Sequence, residues 1–225
     1  MLRRGAIRVR WVQPQSADTA TMAAWHAVLE PAEQARAARF HLDADRHAYI
    51  AAHALARQML SEAGGLAPDA WRFTIGPAGK PEVAPGHGLA WLRFNLSHTR
   101  NLVACAVTST DDVGLDVEDL GRREAGHGIA ERFFAASEAA LIAAMPRARQ
   151  HEAFLRIWTL KEAFVKANGE GIAMGLENFG FALGETPTLA FAPESTGPLA
   201  AWRFLQFMPT PANILAIALR RVQPG

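Results

Sequence analysis

The sequence predicts an α+β protein made of two similar halves, residues 1–110 and 111–225. Three observations lead there. Helix-like and strand-like patterns both occur along the 225 residues, half of which are apolar, enough to build a sizeable core. The apolar run "NLVACAV" at Asn101 is echoed by "NILAIAL" at Asn213, an offset of 112 residues. In each half that run follows helices, a glycine-rich break and more strand, which reads as a repeated unit, the halves meeting near Ser109 to Asp112. A cleft between two such halves is a natural ligand site.

Taken in order, Pro31 to Ala63 is rich in alanine and charge, has no internal proline and stops at Gly64 and Gly65, as one or two helices with a glycine cap would. "WRFTIGPAGKPEVA" gives a short strand, a turn marked by Gly76, Pro77, Gly79 and Pro81, and a second short extended piece. The stretch from Trp91 to Leu120 reads as two strands joined near Asp111 and Asp112. Helical pattern resumes from about Ile129 to Ala167 with a break at Pro146, and Phe179 to Arg220 is strand-like with proline-rich connections.

Composition limits the function. Net charge is +1, so the chain carries no electrostatic footprint for grip on a nucleic acid. "MLRRGAIRVRW" has no apolar stretch of signal-peptide length, and no run reaches the ~18 apolar residues of a membrane span. The single cysteine, Cys105, sits in an apolar run and fits a reducing, cytoplasmic setting as a buried hydrophobe. Twenty arginines stand against three lysines, Lys80, Lys161 and Lys166. Lysine is a compact charge that can lose its proton and arginine is not, so the surviving lysines draw attention to their surroundings.

In "VGLDVEDL" the apolar Val113, Leu115 and Val117 alternate with Gly114, Asp116 and Glu118. On a strand, positions i and i+2 share a face, ~7 Å apart, so Asp116 and Glu118 can reach one hard cation. Mg²⁺ suits such a pair, because it takes one or two protein carboxylates and fills its other positions with waters and phosphates. The plainer alternative is an edge strand with solvated acids. In "IWTLKEAFVKANGEG", Trp158, Lys161, Glu162, Val165 and Lys166 fall on one helical face, and Leu160, Ala163, Phe164 and Ala167 on the core side. Two lysines and a glutamate able to move protons then stand together; the alternative is an ordinary Glu162 to Lys166 surface pair. "FNLSH" puts Asn95, Ser97 and His98 at a strand end, with neighbours on opposite faces and no G-x-S-x-G elbow, which favours hydrogen bonds to an anion over a hydrolase dyad. "GKP" sets Gly79, Lys80 and Pro81 on a tight loop. Arg36, Arg39, Arg46 and Arg57 form either a solvated face or a phosphate-binding cluster.

The order of these pieces is specific. "FNLSH", then "GLDVE" sixteen residues past His98, then "RFFAASE" and "WTLKEAFVKANGEG", with "GKP" and "ARFHLDADRHAYIAAHALAR" upstream, resembles the Sfp-type 4′-phosphopantetheinyl transferases over most of the chain. The resemblance implies an intramolecular pseudo-dimer of two α+β halves, monomeric, with coenzyme A and Mg²⁺ bound between them. It implies transfer of the 4′-phosphopantetheine arm of coenzyme A to a serine of an acyl or peptidyl carrier protein, releasing adenosine 3′,5′-bisphosphate, in a secondary-metabolism setting. It further implies Asp116, Glu118 and Glu162 as metal ligands, Glu162 also as base for the carrier serine, and Lys161 at the departing phosphate. Lys166 would contact the pyrophosphate, Ser97 and His98 the coenzyme A phosphates, Gly79, Lys80 and Pro81 the nucleotide, and Arg36 and Arg39 the 3′-phosphate. One departure is Glu33, which occupies a position that is often basic in that family. A non-catalytic coenzyme A or carrier-protein binder is the alternative, which the presence of Glu162 and its neighbours disfavours. A Mg²⁺-dependent nucleotide hydrolase lacks its phosphate loop, G-x-x-x-x-G-K-[ST].

Overall fold

The computed structural model describes residues 2–3, 5–76, 79–122 and 128–222. It divides into two compact units, Met1–Val113 and Gly114–Gly225. In the first, β1 (Ile7–Val12) is followed by α1 (Thr19–Ala27), α2 (Pro31–Ala37) and the 22-residue α3 (Asp43–Gly64). A short hairpin, β2 (Phe73–Ile75) with β3 (Pro81–Val83), precedes β4 (Leu92–His98) and β5 (Val103–Ser109). The three-stranded sheet runs β1-β5-β4, antiparallel throughout, with Ile7 opposite Thr108 and Leu92 opposite Ser109. β5 is central and buried at every residue, which is why "VACAV" runs apolar without alternation.

The second unit repeats this order. β6 (Asp112–Asp119) leads into α4 (Ile129–Phe133), α5 (Ala136–Ala143) and another 22-residue helix, α6 (Arg147–Asn168). Then come the hairpin β7 (Gly180–Ala182) and β8 (Thr188–Phe191), and the long strands β9 (Trp202–Thr210) and β10 (Asn213–Arg220). Its sheet order is β6-β10-β9, so the echoed apolar runs are the two central strands, β5 and β10. The α+β class and the repeat of elements in both halves match the sequence reading.

Each sheet is covered by its long helix. α3 packs on β4 and β5 through Ala48, Ala52, Leu55, Ala56, Met59 and Ala63, a helical stripe of small and branched residues. α6 packs on β10, and its Phe164 meets Trp202 of β9 and Phe179, just before β7, at centroid distances of 4.5 and 4.7 Å. α6 ends where Gly169 takes a left-handed conformation, φ 78°, and donates its N–H to Val165 O.

Three details differ from the sequence reading. Trp91 to Leu120 holds three strands, not two, because Thr99 N–H donates to Leu102 O and closes a tight reversal inside what reads as continuous apolar pattern. The helical region after Ile129 breaks at Phe134 as well as at Pro146. The N-terminal thirty residues, to which no element is assigned from sequence, supply an edge strand and a helix. No helix among the described residues is long and apolar enough to cross a membrane.

Candidate active site

β6 and α6 meet at Gly114. A Cβ placed on Gly114 would stand 2.0 Å from Ala163 O and 2.4 Å from Ala167 N, so the helix backbone rests directly on the strand backbone. That contact carries Lys166 to Asp116. The Lys166 ammonium lies 2.6 Å from Asp116 Oδ1 and donates to Leu115 O at 3.2 Å. Asp116 is only 6 % exposed, which rules out the solvated edge-strand alternative for it. Glu118, two residues on, accepts Arg122 Nη1 at 2.9 Å and the indole N–H of Trp158.

Glu162 joins these groups electrostatically. Burial, then the charge of Asp116, raise its carboxyl above the usual range; Lys166 opposes and Glu118 adds to the rise. Glu118 is raised for the same reasons, burial and then Asp116, against the pull of Arg122 and Trp158. The Asp116 charge thus acts on both raised carboxyls, and Lys166 acts on Glu162, within one half-buried region. A carboxyl raised in this way is a stronger proton acceptor than an ordinary one.

Lys161 is not part of that group. It is 0 % exposed, and its ammonium lies 2.7 Å from Glu138 Oε2, Leu176 O and Phe179 O. The single helical face expected for Trp158, Lys161, Glu162, Val165 and Lys166 is thus divided: α6 is covered on both flanks, Val165 is buried as well, and Lys161 turns into the core while Glu162 and Lys166 turn to β6. Burial pushes the Lys161 ammonium below its usual value, and Glu138 offsets part of this.

In the first unit, Arg36 and Pro81 line one cavity of about 250 Å³, together with Glu33, Tyr49, His53 and Phe94. The Arg36 guanidinium lies over the Tyr49 ring at 5.5 Å, whereas Arg39 is exposed and outside the cavity lining. Gly79 turns the "GKP" loop, φ 79°, and Lys80 donates to Val113 O at 2.7 Å. Burial lowers the Lys80 ammonium to about 8, with Asp112 and Glu82 opposing. Ser97 is buried and His98 exposed, on opposite faces of β4 as strand geometry requires.

The arginines of the first helices do not form one cluster. Arg57 is 0 % exposed, with its guanidinium 2.7 Å from Glu33 Oε2 and 3.3 Å from Glu30 Oε1, while Arg46 pairs with Asp43. Glu33, the departure noted in the sequence, also lies 2.7 Å from His53 Nδ1 and accepts the Glu30 backbone N–H. Burial alone would raise its carboxyl, but His53, Arg57 and that N–H outweigh it and the net direction is down. Sequence reasoning missed Glu138. It stands three residues after Ala135, whose N–H it accepts, but Ala135 has no hydroxyl to mark a capping box.

Residues 10–110 match the model described as 4′-phosphopantetheinyl transferase, N-terminal, and residues 112–218 match that of the 4′-phosphopantetheinyl transferase superfamily. The 4′-phosphopantetheinyl transferase HetI of Nostoc sp. is 35 % identical over 193 residues, 86 % of this chain and 79 % of that one. The chain belongs to the 4′-phosphopantetheinyl transferase superfamily. Within the superfamily, the 4′-phosphopantetheinyl transferase Sfp of Bacillus subtilis is 28 % identical over 171 residues, 76 % of this chain and 74 % of that one. The holo-[acyl-carrier-protein] synthase of Thermotoga maritima, a crystal structure, aligns with 50 % of this chain and 64 % of its own at a TM-score of 0.41 and 21 % identity. The two superfamily models fall on the two structural units, one on each.

Proposed function

We propose that this superfamily member transfers the 4′-phosphopantetheine group of coenzyme A to a serine of an acyl or peptidyl carrier protein, with Mg²⁺, releasing adenosine 3′,5′-bisphosphate. The observation that carries the reading is the contact of Lys166 with Asp116, set by the close approach at Gly114 and flanked by the raised carboxyls of Glu118 and Glu162.

Among the described residues no group of three or more His, Cys, Asp or Glu side chains is placed to hold a metal ion. Mg²⁺ does not require such a group, since it keeps waters and substrate phosphates among its ligands. Asp116, Glu118 and Glu162 offer hard oxygen donors; burial first, and the Asp116 charge second, raise the carboxyls of Glu118 and Glu162, and a divalent cation there would favour their charged forms. When bound, the ion supplies positive charge to the pyrophosphate oxygens.

The remaining roles belong to this chain's own groups. Glu162 accepts the proton of the carrier serine hydroxyl as that oxygen attacks the phosphorus. Lys166, its ammonium held at Asp116, contacts the pyrophosphate and offsets the charge that builds on the leaving phosphate. Arg36, Arg39, Gly79, Lys80, Pro81, Ser97 and His98 bind coenzyme A, with cationic and hydroxyl groups suited to its phosphates. Positioning and charge neutralisation are the main levers for attack of a hydroxyl on a pyrophosphate. We place the protein in the cytoplasm as a monomer, a setting in which the buried Cys105 thiol stays reduced.

The test is the intact mass of an apo carrier protein incubated with this protein, coenzyme A and Mg²⁺, with and without chelator. A gain of one phosphopantetheine mass that the chelator removes is the expected result. Coenzyme A binding with no gain on any of several carriers would overturn the transferase reading in favour of a binder.

A further inference from the structure

Two buried charges of the second unit pair with each other and not with the reacting groups. Glu138, at the end of "RFFAASE", is 3 % exposed, and Lys161 is 0 % exposed. Burying two charges is costly unless every polar atom finds a partner. Here the pairing is complete on the lysine: its three N–H bonds go to Glu138 Oε2, Leu176 O and Phe179 O, all at 2.7 Å. Glu138 in turn accepts the Ala135 N–H at 3.2 Å and the Phe181 N–H at 2.9 Å. The ammonium also lies 4.3 Å from the Phe179 ring centroid. One ion pair thereby joins the start of α5, the middle of α6, the turn that follows α6 and the first strand of the β7–β8 hairpin.

Lys161 immediately precedes Glu162. Successive helical side chains are ~100° apart, so a Lys161 held inward by three bonds fixes the direction of Glu162 and, five residues on, of Lys166. Apolar packing at the same place would resist translation of the helix but leave its rotation weakly specified, because apolar contacts carry no direction. Directed hydrogen bonds specify it.

We propose that Lys161 and Glu138 are positioning residues for the transfer: their buried pair sets the rotation of α6 that brings Glu162 and Lys166 to Asp116, and Lys161 does not touch the substrate. This rests on the transferase reading given above.

Three variants of the full chain test it, with kcat and the KM for coenzyme A measured on an apo carrier protein: Lys161→Arg, Glu138→Leu, and Glu138→Leu with Lys161→Met. If Lys161 positions, Lys161→Arg lowers kcat at least tenfold while the KM for coenzyme A stays within twofold, since the guanidinium keeps the charge but does not fit the closed site. Adding Lys161→Met to Glu138→Leu should cost no further kcat. Near-normal kcat in Lys161→Arg overturns the proposal, because arginine would serve at a phosphate. A tenfold rise in KM on adding Lys161→Met to Glu138→Leu overturns it equally. Amide hydrogen exchange supplies a readout apart from activity: in the double variant the Phe181 and Ala135 amides should exchange at least tenfold faster than in the wild type. Should the wild type transfer nothing, the functional reading falls alone, and unchanged exchange at both amides would then overturn the clamp itself.

Discussion

Gly114→Ala replaces a hydrogen with a methyl group where β6 carries the weight of α6. The new Cβ would lie 2.0 Å from Ala163 O and 2.4 Å from Ala167 N, both backbone atoms that no rotamer change can move. Ordinary contact begins at 3.4 Å, so α6 must retreat by about 1.4 Å along that line. The Lys166 to Asp116 separation, 2.6 Å in the structure, would open to about 4 Å, beyond hydrogen-bond reach. Overpacking of this kind costs about 1–3 kcal/mol, and at about 2–4 °C per kcal/mol for a chain of this length the melting temperature should fall by roughly 2–12 °C. A misplacement near 1 Å in a catalytic constellation costs about 10²-fold in rate. The expected result is therefore a folded protein with kcat for carrier modification down about 10²-fold, a larger effect than its loss of stability would explain at 25 °C. Thermal melting followed by a steady-state carrier assay reads both. A Gly114→Ala variant that melts with the wild type and keeps its kcat would refute the close approach and the positioning it provides.

Further outcomes follow from other parts of the site. Asp116→Ala and Glu162→Ala should each reduce transfer by at least about 10²–10⁴-fold while leaving far-UV circular dichroism unchanged, and near-normal turnover in either would remove its assigned role. Lys80, with its ammonium lowered to about 8 by burial, loses charge in the mildly alkaline range, so the KM for coenzyme A should climb between pH 7 and 9.5; Lys80→Arg should flatten that climb. Glu33 has its carboxyl held below the ordinary value of 4.5 in the folded state. Its contribution to stability is therefore present above that value and lost as pH falls through the folded one, so Glu33→Gln should flatten the acid limb of melting temperature against pH. Cys105 should resist thiol reagents in the native protein and react only on unfolding, because complete burial raises its thiol well above the ordinary value; labelling at the rate of an exposed thiol would contradict that burial.

What the sequence made legible and what it hid follow from one property of periodic patterns. Alternation in "VGLDVEDL" placed Val113, Leu115 and Val117 inward, because a strand has two faces and one of them was apolar. The echo of "NLVACAV" in "NILAIAL" marked the two central strands, because only a strand covered on both faces reads as an unbroken apolar run. A helix gives less. Its period fixes the angle between residues but not which flank meets solvent, and on α6 neither flank does: Leu160, Ala163 and Phe164 are buried on one side, Lys161 and Val165 on the other. A lysine in such a helix can be read as a charge aimed at substrate, and only the position of a distant acid decides otherwise. For Lys161 that acid is Glu138, on a different helix, 23 residues earlier in the chain. Arg57 was hidden in the same way, since the acids that neutralise it, Glu30 and Glu33, lie on and before another helix. Long-range ion pairs have no local signature, so residues that hold a site in place are harder to find from sequence than residues that form it. The lysine in "WTLKEA" and the one five residues later in "VKANG" look alike in the sequence; the partners of their ammonium groups tell them apart, three buried acceptors for Lys161 and the Asp116 carboxylate for Lys166.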